Sequence, residues 1–360
     1  MTVPGAAQQT DLHEGLFERY RLIALRRALV LIGLAILLVV AFLLDITAGP
    51  AGLGISDIFQ SVFAPGTLEQ RMEIIIWQVR MPDALIALAV GAALSLAGVE
   101  TQTALNNPLA SPFTLGIASS ATLGAAFFIV VTPAAGTLSH ALLLPAFAFV
   151  FAMCAAFAIL ALSGLHGGSS STIVLYGIAL FFLCEALTSF LKYVASADVI
   201  QQIVFWHIGN LTRAGWTEVA VVTAVFLMVL PVSLRDVWVL TALRGGADQA
   251  ESAGLSVKNI RLWTMFRVSI LSAVAVCFVG TIGFVGLVGP HIARLLLGED
   301  HRFLVPGACL TGAALLSLAS FLSKVVVPGA IVPVGIITSI IGVPVFLFLI
   351  SWKSGNTSWR

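Results

Sequence analysis

Long apolar runs alternate with short polar breaks along this chain, and the runs have the length of membrane crossings. A crossing helix needs ~20 apolar residues at about 1.5 Å each to traverse about 30 Å of hydrocarbon. The first run is Leu25–Ala48, stopped by Gly49-Pro50. An outer loop, 51–73, follows and carries an amphipathic piece, Ser56–Phe63. Further runs lie at Ile74–Ala97, Thr114–Val131, Leu138–Leu162, Ile173–Val194, Glu218–Leu234, Trp263–Ile282, Phe284–Leu297, Val305–Val325 and Ile331–Trp352. The pattern predicts an all-α polytopic membrane protein with about ten transmembrane helices in a compact bundle and both termini cytoplasmic. Residues 1–25 read as a cytoplasmic tail, 26–352 as the transmembrane domain and 353–360 as a second cytoplasmic tail.

Small residues recur inside the runs, as in LAVGAALSLAG, LGIASSATLGAA and GACLTGAALLSLAS. In lipid such residues let helix backbones approach closely, so a tight bundle is expected. Composition agrees: 59% of the residues are hydrophobic, 10% are charged, and the mean hydropathy is +1.06. A soluble domain carries about 25% charged residues, so that class is excluded. The net charge of +1 gives no reason to expect a nucleic acid. Cys154, Cys184, Cys277 and Cys309 stand far apart in apolar runs and read as small core residues, not a redox or metal site.

Charge sets the orientation. Of the 18 Lys and Arg residues, only Arg71, Arg80, Lys192, Arg213 and Lys324 fall on the outer side. The others fall inside, as the positive-inside rule requires. Trp206, Trp216 and Arg213 suit an outer interfacial belt.

One water-facing island interrupts the apolar chain, RGGADQAESAGLSVKNIRLWTMFR (Arg244–Arg267). Gly245-Gly246 makes a turn, Ala247–Ala253 reads as a short helix, and Gly254 suits the left-handed position that closes one. Ser256 is a candidate cap for a second short helix from Val257. The segment is either a plain connector between spans or a handle for a soluble partner.

Three motifs carry a family resemblance: GVETQTALNNPLASPFTLGIASSATLGAA (Gly98–Ala126), GFVGLVGPHIARLLLGEDHR (Gly283–Arg302) and VPVGIITSIIGVPVFLFLI (Val332–Ile350). With Arg80-Met81-Pro82-Asp83 they resemble the FecCD family, the permease subunits of ABC importers for iron-siderophores, haem and cobalamin. The resemblance runs from about Gly33 to Trp352. It implies two permease subunits, identical or paralogous, two ATPase subunits and one periplasmic or lipid-anchored substrate-binding protein, in a bacterial inner membrane. An iron(III)-siderophore-type chelate is the expected cargo, with haem or cobalamin as alternatives. No cofactor and no metal site of its own is expected.

The residues independently exclude an ATPase of the phosphate-loop type. That loop needs a glycine before its lysine, and none of Lys192, Lys258, Lys324 and Lys353 follows one. The chain is therefore not expected to be that ATPase, and the resemblance implies a transport subunit, not an enzyme, with ATP hydrolysis on a separate subunit. The resemblance seats the island (about 244–262) in a groove of the ATPase, with Ala250, Glu251, Gly254, Leu255 and Arg261 as contacts. It also places Arg80 and Lys324 where acidic residues of the binding protein dock. The family's usual second arginine is Asp83 here, with Arg71 or Arg213 able to compensate.

Glu185 is the one deep carboxylate that the runs suggest, and intramembrane ionisable groups face cavities or partners. With Thr188 and Ser189 it is expected to form a pore-facing stripe, or else a structural hydrogen bond. Ser170, in the hydroxyl-rich Ser169–Thr172 turn, is a candidate for the inner gate. His207 is a candidate at the outer mouth. A secondary transporter would show inverted repeats and a carboxylate relay, and neither is evident.

Overall fold

The computed structural model describes residues 6–49, 52–132, 137–165 and 168–355. The helices are α1 (Ala6–Thr47), α2 (Ile55–Phe63), α3 (Gln70–Ile75), α4 (Met81–Ala104), α5 (Ile117–Val131), α6 (Thr137–Leu165), α7 (Ser170–Val194) and α8 (Ala197–His207). They continue with α9 (Trp216–Arg235), α10 (Val237–Arg244), α11 (Ala247–Ser252), α12 (Val257–Val279), α13 (Val285–Leu297), α14 (His301–Val325) and α15 (Val334–Gly355). A π-helical turn, Ile76–Arg80, joins α3 to α4 without a break.

Among the described residues, seven helical stretches are long and apolar enough to cross a membrane, and three shorter apolar helices, α5, α13 and part of α15, accompany them. Together they coincide with the runs read from the sequence. Differences lie at the ends. The first helix begins at Ala6 and is 42 residues long, so residues 6–25 continue the first span as helix. The second short helix expected after Ser256 does not end: it runs unbroken into the next span as α12, and Ser256 makes no side-chain cap.

The bundle is organised around α4, which is buried along almost its whole length and packs on α14, α12, α13 and α9. Its small residues explain this position. A methyl group at Gly98 would strike the Gly286 carbonyl of α13. Gly91 and Gly312 meet backbone to backbone between α4 and α14. Leu96 and Val99 pack with Val268 and Leu271 of α12 and with Leu304 and Ala308 of α14. By contrast α7 and α15 present Phe182, Leu187, Phe190, Ile340 and Phe348 outward.

Buried charges fasten this core. Glu100 of α4 is fully buried and accepts from Arg267 Nε at 3.1 and 3.2 Å, while Arg267 Nη1 donates to Asp236 at 2.6 Å. Among the described residues the buried carboxylates are Glu100, Asp45 and Asp83, and not the half-buried Glu185. Such groups persist in an apolar interior because each has an ionic partner. Trp206 is also inside, not in an interfacial belt, whereas Trp216 is exposed and donates to the Trp77 carbonyl at 2.8 Å.

Candidate functional site

The island forms a knuckle at the inner end of the bundle. Gly246, at φ 123°, turns the chain from α10 into α11. Gly254 closes α11 at φ 80°, with Leu255 N–H donating to the Ala250 carbonyl and Gly254 N–H to that of Glu251. This is the paired closure of a left-handed helix cap. Leu255 packs on Ala250, Leu243 and Val257, a small core beneath the knuckle. Glu251 and Gly254 are exposed, and nothing lies within 4 Å of a side chain added at Gly254.

Two residues expected to be contacts face inward instead. Ala250 is fully buried because it fills that small core. Arg261 donates Nε to the Ala104 carbonyl at 2.9 Å and Nη1 to the Gly168 carbonyl at 3.2 Å. Its guanidinium is thereby committed to the end of α4 and to the turn before α7.

A polar network joins the knuckle to the bundle. Arg244, the last residue of α10, donates Nη1 to Asn106 Oδ1 at 2.7 Å and straddles Glu299 at 3.2 and 3.3 Å. Arg294 of α13 joins Glu299 at 3.0 Å to Gln102 of α4 at 2.8 Å. His301 bridges Thr103 of α4 at 2.7 Å and Thr241 of α10 at 3.1 Å. Burial alone would raise the Glu299 pKa, but Arg294 and Arg244 hold it below the usual carboxylate range. The Asn106-Asn107 pair is itself a cap. Asn106 takes φ 46°, and the Asn106 and Asn107 amides donate back to Thr103 and Gln102, so Pro108 follows the end of α4 where helices stop.

At the outer end, Lys324 is not on the rim. Its ammonium lies 2.8 Å from Asp45 and 3.0 Å from Asp83, with all three side chains at most 3% exposed. An ammonium already shared by two carboxylates has no exposed face for an acidic partner, so the docking expectation for Lys324 is corrected. Arg80 is buried too, its guanidinium pressed on Gly49, where any side chain would collide with it. Arg71 and Arg213 are the exposed outer cations.

The expected stripe on α7 divides. Cys184 and Thr188 are buried toward α5, where Cys184 meets Ser120 at 3.1 Å. Ser189 is exposed and Glu185 half-buried. Ser170 is the half-buried first residue of α7, behind the cap formed by Ser169 Oγ and the Thr172 amide at 3.2 Å. His207 lines a cavity of about 490 Å³ with Ser111, Phe113, Thr114, Phe284 and Ser339. Its Nδ1 is buried without a protein partner. Burial lowers the His207 pKa, and the Glu185 carboxylate acts against that shift. Phe284 was not singled out from sequence. It opens α13 at φ 67°, in the left-handed region disfavoured for an aromatic residue, with its ring against Gly342. The only signal is its place in the glycine-rich GFVGLVG run.

Comparison with known proteins bears on these features. The model of the FecCD transport family matches residues 37–352. The hemin transport system permease HmuU of Yersinia pestis is 34% identical over 86% of this chain and 92% of its own. The ferric enterobactin transport system permease FepD of Escherichia coli is 34% identical over 92% and 98%. A solved inward-facing structure of a metal-chelate type ABC transporter is 28% identical, covers 89% of this chain and 98% of its own, and superposes with a TM-score of 0.79.

Proposed function

This chain belongs to the FecCD transport family, and from that premise we propose that the metal chelate it carries is an iron(III)-siderophore-type complex. It is the multi-pass membrane permease of an ABC importer, it catalyses no chemistry itself, and its transport implies ATPase and binding-protein partners. In the proposed assembly two permease subunits form the path across an inner membrane, two ATPases power it, and one binding protein delivers the cargo.

The observation that carries the cargo reading is the His207 cavity. Its walls mix aromatic and aliphatic faces (Phe113, Phe284, Ile336) with the hydroxyls of Ser111, Thr114 and Ser339. Such a lining suits a chelate whose rim is both greasy and oxygen-rich, because shape and a few placed polar groups set orientation in a ligand cavity. Haem is the second reading, favoured by the unpartnered Nδ1 of His207. In both readings the knuckle is the grip of the ATPase, held through exposed Glu251 and Gly254 and half-buried Leu255. Closure of the ATPase pair on ATP then moves the knuckle, and the bundle alternates between outward and inward access. Arg71 and Arg213 are the proposed docking cations, and rim charges of this kind act mainly on the association rate.

The test is reconstitution of permease, ATPase and binding protein in lipid, with ATP turnover and chelate uptake measured together. A ferric-siderophore-loaded binding protein is expected to raise both. Stimulation by haem-loaded protein alone would overturn the siderophore reading in favour of haem.

A further inference from the structure

The knuckle is flanked by two arginines that both reach the same place. Arg244 lies just before it and holds Asn106, the left-handed residue that caps α4. Arg261 lies just after it and holds the Ala104 carbonyl, within the last turn of α4. Arg261 also holds Gly168, next to Ser169, which caps α7. Helix ends leave their last carbonyls unsatisfied, and here a cation from another helix fills one of them. Neither arginine is free for an outside partner: Arg244 is 13% exposed and Arg261 is half-buried.

We infer that Arg244 and Arg261 are positioning residues that carry displacement of the knuckle to the inner ends of α4 and α7. This rests on the ATPase-grip reading given above. Apolar packing beneath the knuckle can slide, whereas charge-assisted hydrogen bonds hold a direction: Arg261 to two backbone carbonyls, and Arg244 to the Asn106 side chain and to Glu299. The arginines are therefore struts, and the α4 cap and the turn before α7 are the parts they move. Coupling of this kind travels through contiguous packed and hydrogen-bonded groups that have two arrangements. Lysine is a poor substitute for Arg261, because two nitrogens of the planar guanidinium reach carbonyls of different segments at once, whereas the ammonium is a single point on a differently shaped stem.

The experiment uses the permease–ATPase complex in lipid without cargo, so it does not depend on which chelate is carried. Spin labels go on exposed Ser252 of α11 and exposed Leu109 beyond the α4 cap, in a Cys154→Ser background that removes the one exposed native thiol. Label distances to a reference on the outer loop of the permease, at exposed Ser56, are read with and without a non-hydrolysable ATP analogue. In the wild type both labels move. In Arg244→Ala/Arg261→Ala the Ser252 label still moves, and the Leu109 shift falls below roughly half its wild-type size. Asn106→Gly keeps the left-handed cap while deleting the acceptor, so it lowers the Leu109 shift in the same sense as Arg244→Ala, which also gives up Glu299, and the two together add nothing beyond Arg244→Ala alone. Arg261→Lys does not restore the shift. An undiminished Leu109 shift in the assembled variants would overturn the inference and leave the grip intact. Loss of assembly in Asn106→Gly as well would make the links structural and overturn it too. A wild-type permease that the ATPase holds elsewhere would remove both the grip and the struts.

Discussion

Replacing Lys324 with methionine separates a buried ionic centre from a docking residue. The ammonium sits between Asp45 and Asp83 at 2.8 and 3.0 Å, and no side chain of the three is more than 3% exposed. Methionine keeps the apolar stem and deletes the charge. Two carboxylates then face each other without a cation, in an interior where an unpaired charge is expensive. Breaking a buried pair by removing one member costs about 3–5 kcal/mol, which is the expected loss of stability. Neutralising the whole centre, as Asp45→Asn/Asp83→Asn/Lys324→Met, should recover most of that loss, because no charge is then left alone. The assay is equilibrium unfolding in mixed micelles, followed by the near-ultraviolet signal of the tryptophans. A loss under about 1 kcal/mol for the single variant, or a triple variant no better than the single one, would refute the reasoning. A stable single variant that fails only in association with the binding protein would return Lys324 to the rim.

Three further outcomes are expected. Gly254→Leu forces a left-handed residue at a cost of ~1–2 kcal/mol, but its Cβ meets nothing within 4 Å, so the bundle should stay folded while ATP-driven uptake collapses; wild-type uptake would remove the grip. Gly98→Ala presses a methyl group onto the Gly286 carbonyl and should destabilise the α4–α13 contact by about 1–3 kcal/mol, read as a lowered melting temperature; an unchanged melt would show that this crossing is loose. Glu299 has a folded-state pKa below its unfolded one, so its stabilisation is present above about pH 4 and lost as pH falls through the lowered value. The melting difference between wild type and Glu299→Gln should therefore shrink in acid, and a difference constant from neutral pH into acid would contradict the pairing with Arg294 and Arg244.

The spans were legible because a membrane imposes length and hydropathy on every crossing, and both are local properties. The Gly254 cap was legible for the same reason: its chemistry lies within a few residues. α10 was overlooked, although Val237, Leu240 and Leu243 recur at helical spacing and are all buried, because it follows α9 with no polar break except Arg235-Asp236. The inward turn of Arg261 and the burial of Lys324 were not legible. Their partners lie 157 and 279 residues away in the chain, and no local pattern says whether a basic side chain at a helix end turns to water or to a distant carbonyl. Glu100 was passed over inside the ETQT stretch, which reads as a polar bend until α4 is seen to continue through it.

The unbroken course of α12 has a mechanical consequence. A rod of 23 residues is about 34 Å long, and Arg267 pins it to Glu100 about 15 Å from its inner tip. A stiff rod held at such a point pivots there, carrying along whatever Arg261 ties to its inner arm. A tilt of ~5° shifts the inner tip by about 1.3 Å in one sense and the far tip by about 1.6 Å in the other. Opposite swings at the two faces of a membrane from a single push need no messenger between them, only a pivot that does not slip.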